Sequence, residues 1–190
     1  MSPHPRCHRC AFRGPACLCG SLPSLTTAIS VTIVRHVAER SKATGTARWV
    51  GLALANCRVL DYGMPPDPFD EADLGVEGAV LLFPDGPATL PAQLPRHLIV
   101  PDGTWPQARR MVQRLPALRT LERLSLPAPK SHHRLRHAPL KEGMSTLEAV
   151  AAALDLCGET AAAAGLRAVH QAVLDRAVAA RGRLPGRAFR

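Results

Sequence analysis

The residues with the clearest chemical potential lie in residues 98–111, which read LIVPDGTWPQARRM. The first three form a short apolar run that predicts a buried strand, and a helix is predicted to begin at Thr104. Asp102 lies between them, at the carboxyl end of a strand, which is where open α/β sheets bind ligands. A carboxylate placed between a buried strand and a helix N-terminus experiences an unusual electrostatic field. Asp102 is therefore the first candidate for a catalytic residue.

The neighbours of Asp102 also have purely structural interpretations. Thr104 and Gln107 fit a capping box, and Pro106 is tolerated in the first helical turn. Trp105 is either an anchor of the hydrophobic core or part of a binding site. Both interpretations stay open from the sequence.

A second chemical group is formed by four of the six cysteines, Cys7, Cys10, Cys17 and Cys19, spaced C-x2-C-x6-C-x-C. No basic segment followed by an apolar stretch marks the N-terminus, so we expect a cytoplasmic protein, in which disulfides are disfavoured. Two close cysteine pairs joined by a short loop supply four thiolates to a tetrahedral metal ion. We predict a structural zinc site, because a catalytic zinc keeps an open position. A set of redox thiols is the less favoured alternative.

The formal net charge of +9 predicts a polyanionic partner. Nucleic acid is favoured over a membrane surface because no basic amphipathic helix stands out. No apolar run approaches the roughly 20 residues that span a bilayer. A GC-rich genome, which raises the arginine and alanine content, is the competing explanation for the charge.

Residues 130–141 carry a basic run without an acidic residue, KSHHRLRHAPLK. This run is either a solvated loop or a set of phosphate contacts, and its place beyond a strand end in a basic protein favours phosphate contact. The candidate RNA-binding residues are Lys130, Arg134, Arg136 and Lys141.

Strands alternate with helices through the middle of the chain and must position these groups. The pattern predicts an α/β fold with a mainly parallel sheet flanked by helices. Ser145 and Glu148 form a capping box at the start of one helix. Strands are predicted at residues 28–34, 57–60, 79–83, 98–100 and 120–126, and helices at 47–56, 104–115, 146–156 and 159–181. We predict a zinc module at residues 1–24 and a catalytic domain at 25–190.

Together, these motifs resemble the DTW-domain family, the tRNA-uridine aminocarboxypropyltransferases. The family is named for the motif present here as Asp102-Gly103-Thr104-Trp105. The cysteine module, the LLFP strand end at 81–84, the RLR at 134–136 and the STLEAVA run at 145–151 match as well. The resemblance covers residues 6–156. The chain departs from the family pattern in its first loop, at His36, Glu39 and residues 44–46, and at His133. A solvated loop or a helix cap is an ordinary explanation for His36 and Glu39.

The resemblance implies a SPOUT-like fold with a C-terminal knot that binds S-adenosylmethionine. It further implies transfer of the 3-amino-3-carboxypropyl group to N3 of a tRNA uridine, with release of 5′-methylthioadenosine. The catalytic candidates are Asp102, Thr104 and Trp105. The candidates for cofactor binding are Leu82, Phe83, Pro84, Asp102, Gly103, Leu126, Arg136, Ser145, Thr146 and Glu148.

A positioned carboxylate can accept the proton that N3 of uridine must lose. We therefore give Asp102 that role or the role of orienting the uracil edge. We expect a monomer that binds tRNA through the zinc module, the 130–141 run and the arginine-rich C-terminal tail. Two alternatives are a SPOUT-type RNA methyltransferase and a zinc-containing RNA-binding adapter without catalysis.

Overall fold

The computed structural model describes residues 5–42, 45–64, 69–72, 74–87, 90–127 and 144–182. The predicted RNA-binding residues at 130–141 and the arginines from residue 183 onward lie outside the described residues. The strands are β1 (Ser30–His36), β2 (Cys57–Tyr62), β3 (Ala79–Leu82), β4 (His97–Asp102) and β5 (Glu122–Leu124). The helices are α1 (Ala47–Ala53), α2 (Trp105–Arg114), α3 (Pro116–Thr120), α4 (Thr146–Leu156) and α5 (Thr160–Gly182).

The five strands form one parallel sheet in the order β2-β1-β4-β3-β5. This confirms the predicted α/β fold with a parallel sheet flanked by helices. The inner strands are buried on both faces, which explains the unbroken apolar run at 79–82. In the described part of the chain, no helix has the length and apolar character needed to cross a bilayer.

Helices cover both faces of the sheet and divide the core into two clusters. On the first face, Leu98 and Val100 of β4 pack with α1, α4, α5 and the cysteine-containing segment. On the second face, Ile99 packs with α2 and α3. Because side chains alternate along a strand, Asp102 lies on the same face as Leu98 and Val100.

The adjacent strands β1 and β4 mark the switch point of the sheet at its carboxyl edge. From β1 the chain continues to β2 on one side, whereas from β4 it continues past β3 to β5 on the other. The connections that leave these two strands therefore diverge. Open α/β sheets bind ligands at such a switch point.

The structure corrects several predicted boundaries. Strand β1 extends to His36, because its last residues pair with β2 and β4, so Arg35 and His36 are strand residues. Helix α3 is not anticipated, because Pro116 begins a new helical turn directly after the extended Leu115. Since α3 includes Thr120, β5 is shorter than the predicted strand at 120–126.

The cysteine-containing segment packs against the rest of the molecule. Cys10 and Leu18 are buried in the first core cluster, and the Phe12 ring lies 5.4 Å from the Trp49 ring of α1. The boundary at residue 24 between a zinc module and a catalytic domain stays a prediction.

Candidate active site and metal centre

Asp102 ends β4 at the switch point, with 6% of its surface exposed. The Thr146 hydroxyl, in the first turn of α4, donates a hydrogen bond to Asp102 Oδ1. The N-terminus of a helix also favours a nearby negative charge. The packing of α4 on the sheet thus holds a carboxylate at a fixed position, joining residues from two distant parts of the chain.

A capping box fixes the start of α4, as the sequence predicts. The Ser145 backbone N–H donates to Glu148 Oε2 at 2.9 Å, and the Glu148 N–H donates to Ser145 Oγ at 3.3 Å. Ser145 and Glu148 therefore stabilise the turn that presents Thr146 to Asp102. Burial lowers the pKa of His170 on α5, and the negative charge of Glu148 opposes that shift.

A buried threonine joins this turn to α1. Thr46 is 6% exposed, and its Oγ1 accepts a hydrogen bond from the backbone N–H of Leu147 at 3.4 Å. Thr46 is not recognisable as a functional residue from the sequence. Its contact joins the start of α1 to the start of α4, and no local sequence pattern relates the two.

Trp105 begins α2 and stacks on Phe83, with ring centroids 5.3 Å apart and planes 7° apart. The Arg109 guanidinium lies 5.9 Å from the centre of the Trp105 ring. Trp105 is 37% exposed, so it is not an anchor of the core. Phe83 belongs to the second core cluster, so the acid and the tryptophan of the motif lie on opposite faces of the sheet.

Gly103 allows the chain to pass closely between two neighbours. A Cβ atom at this position would lie 3.0 Å from Gln107 Cβ and 3.5 Å from His36 Cβ. The Thr104 backbone N–H donates to Gln107 Oε1 at 2.7 Å, which confirms the predicted capping box. Thr104 is exposed and serves as the cap of α2.

The remaining cofactor candidates follow the ends of β3 and β5. Leu82 and Phe83 are buried, and Pro84 is exposed. Leu126 is half-buried against the first core cluster. These residues share the carboxyl edge with Asp102, because all five strands are parallel. Arg136 lies outside the described residues.

The four N-terminal cysteines form one cluster, with their sulfur atoms all within 4.8 Å of one another. The Cys7 and Cys19 sulfurs are 3.7 Å apart, and those of Cys10 and Cys17 are 3.6 Å apart. A tetrahedral zinc site with Zn–S bonds of about 2.3 Å separates its sulfurs by about 3.8 Å. The donor set therefore fits a structural zinc ion.

The thiols of this cluster differ in their protonation. Backbone hydrogen bonds from Cys10 and Arg9 lower the pKa of Cys7 to about 6. Burial, with the neighbouring sulfurs adding to it, raises the pKa of Cys19 to about 12. A bound divalent cation would favour the thiolate at every ligand.

The other two cysteines, Cys57 and Cys157, lie outside this cluster, one against the first hydrophobic core and one within it. Cys157 is 7% exposed within the first cluster, and Cys57 packs against it. Burial raises the pKa of Cys57 to about 12, so its thiol stays protonated at neutral pH.

Two further residues, at and just after the end of β1, also lie near the carboxyl edge of the sheet. His36 Nδ1 accepts a hydrogen bond from the Ala38 N–H, which confirms that it acts as a cap. Glu39 is 1% exposed and forms a 2.6 Å ion pair with Lys42, so it is not a solvated loop residue.

Arg35 is a further charged residue that the sequence analysis missed. It pairs with Asp61 at 2.7 Å and stands beside Asp102 in the β1–β4 register. Arg35 and Asp61 could have been identified from the sequence, because each directly follows a predicted strand. Parallel strands place their carboxyl ends at one edge of the sheet.

Comparisons with known proteins agree with these features. The model of the DTW domain matches residues 4–178. The chain is 30% identical over 163 residues to a tRNA-uridine aminocarboxypropyltransferase 2 of Drosophila melanogaster, covering 78% of this chain and 65% of the relative. It is 28% identical over 167 residues to the proteins of the same name from Macaca fascicularis and Mus musculus, covering 80% of this chain and 56% of each relative.

The chain thus spans 56–65% of the length of these curated relatives. No solved structure shows a significant match. The domain match covers most of the chain and includes both the cysteine cluster and the Asp102 motif. The chain belongs to the DTW-domain family.

Proposed function

We propose that this protein transfers the 3-amino-3-carboxypropyl group of S-adenosylmethionine to N3 of a uridine in tRNA. The observation that carries the proposal is the buried Asp102, held by Thr146 at the switch point of the sheet, within the motif that names the family. The names of the relatives support aminocarboxypropyl transfer to a tRNA uridine.

The residues at the carboxyl edge fit the chemistry of S-adenosylmethionine. Its sulfonium is a cation, for which the Asp102 carboxylate is a compatible neighbour. Leu82 and Leu126 offer apolar side chains for an adenine, and both belong to or pack against the first core cluster. When bound, this cofactor supplies an electrophilic carbon beside the sulfonium and leaves as 5′-methylthioadenosine.

Within this proposal, Asp102 accepts the proton from N3 of the uridine. Bound S-adenosylmethionine would supply the carbon that the deprotonated N3 attacks, and its sulfur would keep the electrons of the C–S bond. Thr146 holds one carboxylate oxygen by its hydrogen bond, so that the carboxylate does not rotate away. Burial of the carboxylate keeps water from competing for it.

Trp105 is the proposed platform for a nucleotide. Its ring is already stacked on Phe83 from one side and is partly exposed. Aromatic rings of this kind bind unstacked RNA bases, and Arg109 adds a positive charge beside the ring. Thr104 caps α2 and so positions the backbone between Asp102 and Trp105.

Several finer features belong to the same proposal. We propose that the four cysteines hold a structural zinc ion and that the fold is SPOUT-like with a C-terminal knot. The protein is proposed to act as a cytoplasmic monomer. The basic run at 130–141 and the arginine-rich tail are proposed contacts to the tRNA backbone.

The decisive experiment is incubation of the protein with unmodified tRNA and S-adenosylmethionine, followed by mass analysis of the nucleosides. The expected result is a uridine heavier by one aminocarboxypropyl group, together with 5′-methylthioadenosine. S-adenosylhomocysteine and a methylated nucleoside would instead assign the chain to the methyltransferases. Absence of any cofactor-dependent mass change would favour a non-catalytic adapter.

A further inference from the structure

A groove lined by arginine side chains lies between the cysteine-containing segment, α1 and the β1–β2 side of the sheet. Its volume is about 420 Å³. The floor is formed by Gly51, Leu52 and Val59, with the Cys57 residue beside them. The basic side chains at its walls are His8, Arg9, Arg35, Arg40 and Arg48.

The positive charge of this arginine groove is only partly balanced by nearby acids. Asp61 pairs with Arg35 at 2.7 Å and with Arg40 at 3.5 Å. In the part of the chain that the structure describes, Arg9 and Arg48 form no ion pair with an acid. One carboxylate thus stands against four guanidinium groups.

Arg48 is held in place without being neutralised. Its guanidinium donates to the backbone carbonyl of Arg40 at 2.8 Å and to that of Cys10 at 3.4 Å. Carbonyl oxygens orient a cation but carry no net charge. The surroundings therefore favour an anion at this position.

The arginine groove adjoins the candidate active site. Arg35 and Asp102 are register neighbours on the adjacent strands β1 and β4, so their side chains leave the same face of the sheet. Adjacent strands lie only about 4.8 Å apart. An anionic chain that lies in the groove would reach the carboxyl edge one strand away from Asp102.

We propose that the arginine groove binds phosphate groups of the RNA substrate and leads the backbone toward Asp102, an inference that rests on the proposed function. One guanidinium group can bind two oxygens of a phosphate at once. The four guanidinium groups of the groove come from three separate segments of the chain. The arginines of this proposal are not those of the basic run at 130–141, which lies outside the described residues.

The test is a double substitution, Arg9→Gln with Arg40→Gln, in the full-length, zinc-loaded protein. Both side chains are exposed, so the change should leave the core intact. The matched control is Arg114→Gln with Arg119→Gln, which removes the same charge from exposed positions on α2 and α3, on the other face. Binding of an unmodified tRNA transcript is measured by fluorescence anisotropy across a salt series, together with the zinc content.

We expect the groove variant to bind the transcript more weakly by at least on the order of tenfold at low salt, and its log–log salt slope to fall by about two. The control should stay within about twofold of the unchanged protein. Unchanged affinity in the groove variant would overturn the proposal. Loss of affinity that appears only together with loss of zinc would also overturn it, since the arginines would then be counterions of the thiolates.

The nucleoside mass assay separates this proposal from the proposed function. If the unchanged protein forms the product and the groove variant binds tRNA normally, the function stands and the groove proposal fails. If the unchanged protein forms no product and yet the groove variant alone loses RNA affinity, the groove stands as an RNA-binding site of a protein with another activity.

Discussion

The cysteine cluster and the Asp102 site are built in opposite ways. The four thiol ligands come from residues 7–19, and their sulfurs lie within 4.8 Å of one another. Asp102 instead receives its hydrogen bond from Thr146, 44 residues away in the sequence. The first site takes its geometry from a short loop and its proposed metal, whereas the second takes its geometry from the packing of a helix on a sheet. The two sites should therefore fail in different ways.

The first prediction separates the two sites by stability. Replacing the buried ligand in Cys10→Ser should abolish zinc binding and lower the free energy of unfolding by on the order of 3 kcal/mol. The reason is that the segment shares its core with α1, through the contact of Phe12 with Trp49. Denaturant unfolding and metal analysis measure both quantities. Cys57→Ser, at a cysteine outside the cluster, is the control and should keep its zinc.

The second prediction concerns chemistry alone. Asp102→Asn should reduce the transfer rate by about 10²- to 10⁴-fold, because the amide cannot accept the N3 proton. Zinc content should stay close to that of the unchanged protein, and cofactor affinity should fall much less than the transfer rate. Steady-state kinetics with calorimetric titration of the cofactor make this measurement. Full activity in this variant would remove Asp102 from the mechanism.

A smaller effect is expected when only the hydrogen bond between Thr146 and Asp102 is removed. Thr146→Val keeps the shape of the side chain but removes the hydroxyl that donates to Asp102. A hydrogen bond to a charged group contributes about 1.5–3 kcal/mol, so kcat should fall by about ten- to a hundredfold. Thr146→Ser should restore most of the rate. Equal losses in both variants would mean that packing, and not the hydrogen bond, matters here.

The smallest effect is expected at Trp105. Trp105→Ala should raise the KM for tRNA by about tenfold, since a stacked base contributes about 1–3 kcal/mol. Stability should change little, because the ring is 37% exposed. Trp105→Phe retains a stacking surface and should lie close to the unchanged protein. A large loss of stability in the alanine variant would show that the ring serves the fold.

The difference between a site built from one short segment and a site built from distant residues also explains which features the sequence could predict. The cysteine spacing, the two capping boxes and the buried strand at 79–82 are local patterns, and the structure confirms each of them. The contact of Thr146 with Asp102 depends on how α4 docks against β4, for which no local pattern exists. The same holds for the stacking of Trp105 on Phe83 and for the burial of Glu39.

The arginine groove is a further case. Its basic residues come from three segments: the cysteine segment, the end of β1 with the turn after it, and α1. Because these residues are far apart in the sequence, the charge pattern along the chain indicates only the 130–141 run. Helix α3 was missed for a simpler reason, since Pro116 serves equally well to end a helix and to begin one.

The placement of Asp102 and Trp105 on opposite faces of the sheet has a consequence for how this protein family can diversify. In the proposed function, the short motif joins two parts with separate roles, one in the reaction and one in the choice of nucleotide. On that proposal, substitutions around Phe83, Trp105 and Arg109 should change which RNA is accepted and leave Asp102 and α4 undisturbed. A new substrate range can therefore arise without a new chemistry, and laboratory evolution of specificity should begin on the tryptophan side.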